Sequence, residues 1–262
     1  MKELENKVAL VTGAGRGIGR AISLALAGEG AQLILTGRDI AALNGTAELI
    51  ANLEVAPTPL VFSIDLLDHA TIQNSVRQSL EAFGRIDILV NNSGIAGKNS
   101  PLWELEEGEW DEVLDTNLKG PFLLSKEVIP SMISRKSGSI IFIGSITGKR
   151  PLINRSVYAA SKLGLVGMVR SLALDLGSHG VRANLISPGF VAGPRLDSVI
   201  AQVASREGRT PEEVTAAWLE MVPTGRFVTP EDIAQGVLFL ASDRSGATTG
   251  EDLNISGGLV MY

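Results

Sequence analysis

The run Val8-Ala9-Leu10-Val11-Thr12-Gly13-Ala14-Gly15-Arg16-Gly17-Ile18-Gly19 decides how the whole chain is read. Residues 8–12 are apolar or β-branched without alternation, the pattern of a strand buried on both faces of a parallel sheet. Glycines then fall at 13, 17 and 19. Gly13 permits a tight turn, Gly17 lets the backbone approach a pyrophosphate, and Gly19 lets a helix pack closely on the strand before it. The amides and positive dipole end of that helix suit phosphates. With 29 glycines in the chain, the glycines alone would mark an ordinary turn. Their place after a strand and before a helix points to a dinucleotide site, with Gly13, Arg16, Gly17, Ile18 and Gly19 as cofactor-binding candidates. The spacing is G-x-x-x-G-x-G rather than the commoner G-x-G-x-x-G.

Outward from this turn, strand-like runs recur at 32–36, 60–64, 86–91, 139–144, 182–187 and 252–255, with helix-length segments between them. Repeated strand–helix–strand units predict an α/β fold: a single doubly wound domain of Rossmann type over residues 1–262, on a mostly parallel seven-stranded sheet. Thr210-Pro211-Glu212-Glu213 and Thr229-Pro230-Glu231-Asp232 each offer a threonine N-cap, proline at the first helical position and acids in the first turn. The first of these lies inside a long insertion at 190–223, past the carboxyl end of the sixth strand. Substrate loops occupy that place in α/β proteins, so a helical substrate lid is expected.

Composition narrows the possible functions. The chain is 45% hydrophobic and 20% charged, enough for a sizeable core, and its net charge of −6 with no basic run argues against a nucleic-acid partner. Absence of cysteine removes disulfides, thiolate catalysis and thiolate-bound metal. His69 and His179 are far apart and read as helix-surface residues, so no metal site is expected. The charged N-terminus enters a strand directly, unlike a signal peptide, and no apolar run nears the ~20 residues of a bilayer span. A cytoplasmic protein with no membrane partner is the expectation. Trp103 and Trp110 read as packing residues.

The end of the second strand bears on which nicotinamide dinucleotide is bound. A carboxylate about 20 residues beyond the glycines would hold an adenosine ribose. Here the stretch is Thr36-Gly37-Arg38-Asp39. Glycine followed by arginine removes the group that repels a 2′-phosphate and supplies a guanidinium fork that fits one, with Arg16 as a second cation. NADP(H) is therefore expected in preference to NAD(H).

Taken with Asn91-Asn92-Ser93-Gly94, Ser145, Tyr158-Ala159-Ala160-Ser161-Lys162 and Pro188-Gly189, in that order, the chain resembles the short-chain dehydrogenases/reductases along nearly its whole length. Ser93 stands where alanine is usual, and Gly193 where many members carry a threonine. The resemblance implies Asn117, Ser145, Tyr158 and Lys162 as the catalytic set. It gives Asn117 a water that relays protons and has Lys162 bond the nicotinamide ribose. It also places Asp65 and Leu66 beside the adenine, and it implies a homotetramer or homodimer. Asn92 and Gly94 after the fourth strand, and Pro188, Gly189 and Val191 after the sixth, are further cofactor-binding candidates.

The chemistry also follows from the residues. Tyr158 and Lys162 are four apart in a helical stretch and so share a face. A free phenol titrates near pH 10, too high for acid–base work at neutrality, and a neighbouring ammonium lowers it. Ser145, at the end of the fifth strand, can donate to a substrate oxygen. The reading is a hydride transfer between NADP(H) and the alcohol or carbonyl of a small organic substrate. A dinucleotide-sensing module without turnover would explain the glycines and Arg38 but not the catalytic set. A cofactor-recycling epimerase or dehydratase is a further alternative. Arg195 or Arg150 is a candidate grip for a substrate carboxylate or phosphate.

Overall fold

The computed structural model describes residues 2–53 and 57–262. Its strands are β1 (Val8–Thr12), β2 (Gln32–Gly37), β3 (Leu60–Ser63), β4 (Ile88–Asn91), β5 (Gly138–Ile143), β6 (Val181–Pro188) and β7 (Asp252–Ile255). They form one sheet in the order β3-β2-β1-β4-β5-β6-β7. Every pairing is parallel, so the sheet is wholly rather than mostly parallel. β4 starts two residues later than its apolar pattern suggests. Asp87 is instead buried at the strand's foot, where its carboxylate accepts from the Val8 amide (2.9 Å) and from Arg85 (2.6 Å).

Nine α-helices are present among the described residues: α1 (Gly17–Gly28), α2 (Ile40–Ala51), α3 (His69–Phe83), α4 (Glu107–Leu114), α5 (Gly120–Arg135), α6 (Ser156–Leu176), α7 (Pro194–Glu207), α8 (Pro211–Glu220) and α9 (Pro230–Ala241). Alternate strand residues point to opposite faces. Ala9, Val11, Leu33, Leu35, Val90 and Ile141 pack against α1, α2 and α9. Leu10, Ile34, Leu89, Ile140, Phe142 and Leu185 pack against α3, α5 and α6. Each fully buried aliphatic side chain contributes about 1.5–3 kcal/mol. This two-sided burial explains why the strands read as unbroken apolar runs.

α4 and α5 are joined without a loop by a π-helical turn, Asp115–Lys119, which holds Asn117. Such wide turns are uncommon in helices and often lie at functional sites. The segment Ser156–His179 is long and apolar enough in composition to cross a bilayer, a feature the sequence reading did not single out. Here Val157, Leu165, Val169 and Leu176 are buried in the protein. Trp103 corrects its expectation: on a short 3-10 turn, Leu102–Glu104, it is 84% exposed and packs little.

β1 and β4 are neighbours although the chain visits β2 and β3 between them, so the winding reverses here. A crevice opens over the carboxyl ends of strands at such a reversal. Past the end of β6, α7 and α8 build a small core of their own. Leu196, Ile200, Val203 and Val214 meet Phe190, Trp218 and Phe227, with Phe190 stacked on Trp218 at 4.5 Å. A bridge between Val191 and Val228 fastens this excursion to the sheet side.

Candidate active site

The glycine turn sits where the sequence places it, at the carboxyl end of β1. Gly13 (φ +65°) and Gly17 (φ +51°) adopt the left-handed backbone that glycine tolerates best. A Cβ on Gly19 would collide with the Gly13 carbonyl and the Asn92 amide. Beside Gly17 lies open space. Asn92 braces the turn from β4: its Nδ2 donates to the Thr12 carbonyl (2.8 Å), while the Thr12 hydroxyl accepts from the Asn92 and Ser93 amides (both 2.9 Å). From below, Arg20 donates to the Gly15 carbonyl and to Thr46, whose hydroxyl in turn donates to the Ala14 carbonyl (3.0 Å). Sequence reasoning passed over Arg20 and Thr46. No side chain caps the start of α1, which leaves its first-turn amides free to meet an anion. Ile18 is half-buried against the core beneath.

Arg38 is exposed just past β2. Its neighbour Asp39 caps α2 through the Ala42 amide (3.1 Å) and stands 3.8 Å from Arg16. Arg16, on the glycine turn, and Arg38 thus flank one carboxylate that is already engaged. Asp65 follows β3, exposed, and accepts from the Leu67 amide (3.0 Å), whereas Leu66 is buried against Gly120. At the end of β6, Gly189 lies so close to Ser256 that a Cβ would stand 2.8 Å from its Cα. Pro188 closes β6, and Val191 lies on the bridge to Val228.

Ser145, Tyr158, Lys162, Asn117 and Gly94 come together at the carboxyl ends of β4 and β5. Ser145 caps a short 3-10 turn by accepting from the Thr147 amide (3.1 Å). Tyr158 and Lys162 lie one turn apart on α6, with the ammonium 5.8 Å from the ring centroid. Lys162 is buried, and it donates to the Ile143 carbonyl at 2.9 Å. Asn117 is fully buried and ties three elements: its Nδ2 donates to the Ile95 carbonyl (2.9 Å) and Ser161 hydroxyl (3.0 Å), and its Oδ1 accepts from the Ile95 amide (2.8 Å). Gly94 fills the remaining gap, since a Cβ there would stand 3.0 Å from Asn117 Oδ1 and 3.3 Å from Lys162 Nζ.

The electrostatics favour a usable phenol. Burial, the largest single influence on Tyr158, raises its pKa. Lys162, Arg195, Ser145 and Arg155 together outweigh burial and hold it below its ordinary value. Burial pulls the Lys162 ammonium below its ordinary value too, partly offset by Tyr158. Arg155 and Arg195 add two cations beside the phenol. Sequence reasoning missed Arg155, which stands at the N-cap of α6, three residues before Tyr158. Arg150, by contrast, is exposed and rests on Met221 (3.7 Å to Sδ).

A family model described as enoyl-(acyl carrier protein) reductase matches residues 13–260. Curated relatives include the 3-oxoacyl-[acyl-carrier-protein] reductase of Thermotoga maritima, 38% identical over 98% of this chain and 99% of its own. The galactitol 2-dehydrogenase of Agrobacterium fabrum is 40% identical over 97% and 98%. Among solved structures, levodione reductase superposes with a TM-score of 0.92 at 32% identity, over 97% of this chain and 98% of that one. NAD+-bound xylitol dehydrogenase gives 0.92 at 30%, over 98% and 100%.

Proposed function

The chain belongs to the short-chain dehydrogenase/reductase family of oxidoreductases, and from that premise we propose that it interconverts an alcohol and a carbonyl on a small organic substrate, with Tyr158 as proton carrier and NADP(H) as preferred cofactor. The observation that bears most weight is the phenol of Tyr158 beside the Lys162 ammonium, whose charge, with Ser145 nearby, lowers its pKa. In reduction the phenol gives its proton to the carbonyl oxygen; in oxidation the phenolate takes one from the alcohol. Lys162 keeps the phenolate accessible near neutrality, and Ser145 donates to the same substrate oxygen as charge grows on it. Asn117 holds the Ile95 backbone and Ser161 in register with Tyr158.

The glycine turn fits a dinucleotide: uncapped amides at the start of α1, and open space beside Gly17 where a side chain would intrude. Gly13, Arg16, Gly17, Ile18 and Gly19 would line the pyrophosphate. Arg38, with Arg16, would hold the 2′-phosphate, since the neighbouring carboxylate of Asp39 is engaged by α2 and Arg16. Asp65 and Leu66 would flank the adenine. Asn92, Gly94, Lys162, Pro188, Gly189 and Val191 would lie along the nicotinamide half. When bound, that group supplies or accepts the hydride.

α7 and α8 act as the lid over this single-domain site. The relatives are named for acyl, polyol and levodione substrates, so the common ground is the alcohol/carbonyl centre itself. Phe122, Leu163 and Leu174 lie exposed on α5 and α6, in keeping with a homotetramer or homodimer. A cytoplasmic setting suits a cysteine-free chain. The test is a panel of carbonyls and alcohols against NADPH, NADH and their oxidised forms, followed by absorbance. Oxidation should rise with pH through a Tyr158 pKa below 10 while reduction falls through the same value. Absence of any net cofactor turnover across the panel would overturn the reading.

A further inference from the structure

Two guanidiniums lie near Tyr158, one carried by the start of α6 and one by α7. Arg155, at the foot of α6, is only 8% exposed, and its protein partners are two carbonyls at long range, Ala96 (3.4 Å) and Gly97 (3.3 Å), both reached by Nη1. Arg195 lies in the first turn of α7, exposed, with its guanidinium carbon 5.9 Å from the Tyr158 ring centroid. Among the described residues, neither makes an ion pair with a carboxylate. This is unlike the fold's treatment of Arg135, which reaches both Asp87 (3.7 Å) and the Ile86 carbonyl. Burying a cation without a counter-charge is costly, and a second cation nearby adds to the cost. Burial, then Arg195, pulls the Arg155 guanidinium below its ordinary range.

Resting on the reading of Tyr158 as proton carrier, we infer that Arg155 and Arg195 recognise an oxyanion, a carboxylate or phosphate, carried by the substrate a short distance from its carbonyl. An anion between them would supply the missing counter-charge and bond a rigid fork on each side. Because Arg155 belongs to the sheet-packed body and Arg195 to the excursion, the same anion would draw α7 over the substrate. A neutral substrate would leave the two cations facing each other.

The experiment compares short- and medium-chain oxo-acids, each against its own primary amide, with oxoalkyl phosphates as a second arm. In the wild-type enzyme, kcat/KM should favour the anion about tenfold or more at one chain length, the value of a charge-assisted contact. That ratio should fall toward one in Arg195→Met and in Arg155→Lys, and should hold in Arg77→Met, on the exposed side of α3. Taking a ratio cancels whatever either substitution does to the phenol. Preference for the phosphate or the carboxylate arm identifies the group. Equal use of acid and amide at every length, or a ratio that survives both substitutions, overturns the inference while leaving hydride transfer intact. If no carbonyl is turned over, the function itself fails, and calorimetric titration of the same oxo-acids still decides: binding lost in Arg195→Met supports the anion site, and binding unchanged or absent overturns it.

Discussion

Helices α8 and α9 begin with almost the same four residues and end in different surroundings. Both carry a complete capping box: Thr210 with Glu213 (2.9 and 3.2 Å) and Thr229 with Asp232 (2.8 and 3.2 Å). α8 then buries Val214 alone, in the small cluster around Trp218. α9 buries Ile233, Ala234, Val237, Leu240 and Ala241 against the sheet. A cap sets where a helix starts and adds about 1 kcal/mol. What lies along the helix decides whether it holds with the whole fold or opens by itself. The body of the molecule should therefore carry chemistry and global stability, and the excursion should carry substrate selection.

The sharpest way to separate these roles is at the phenol. Tyr158→Phe should lower kcat by about 10²–10⁴-fold with an unchanged melting temperature and unchanged nucleotide binding. Retained turnover would remove catalysis from the body. Next in size, Leu240→Ala in α9 should cost about 2–5 kcal/mol of global stability by chemical denaturation. Trp218→Ala, in contrast, should raise KM and speed amide exchange in α7 and α8 with little change in the global midpoint. An equal loss of stability from both would erase the distinction.

A third effect concerns the nucleotide end of the body alone. Gly37→Asp with Arg38→Leu should shift the ratio of kcat/KM for NADPH over NADH by about one to two decades toward NADH. The smallest contrast is between the caps. Arg226 holds the Asp232 carboxyl down at a pKa of about 2, helped by the Thr229 amide, against an ordinary 3.8. Because the folded value is depressed, its contribution is fully present above about pH 4 and is lost as pH falls through 2. Asp232→Asn should cost about 1–2 kcal/mol at neutral pH, allowing for its partial exposure. Glu213→Gln, with no such cation on it, should cost a few tenths by the same assay.

Much of this was legible in the sequence because the relevant physics is local. Unbroken apolar runs mark strands covered on both sides, glycine spacing marks the phosphate turn, and a four-residue interval places Tyr158 and Lys162 on one face. What the sequence hid depends on which distant loops meet. Asn92 bracing Thr12, Asn117 joining Ile95 to Ser161, and Arg195 lying over Tyr158 are products of the winding reversal between β1 and β4 and of the path of α7. Trp103 misled for the opposite reason: a large aromatic usually packs, and nothing local reveals that its turn faces outward.

The wide turn at Asp115–Lys119 takes up one extra residue within the unbroken rod formed by residues 107–135. One residue corresponds to about 100° around a helix axis. Deleting a single position there would close the wide turn to ordinary α-helical spacing. In a regular stretch of α-helix that loss would spin everything downstream by roughly a quarter of a circle; here the wide turn absorbs it, Leu124, Val128 and Met132 keep their side, and the cost falls on Asn117 and its bearing on Ser161. The extra residue therefore serves the site, and the packing of α5 on the sheet does not depend on it.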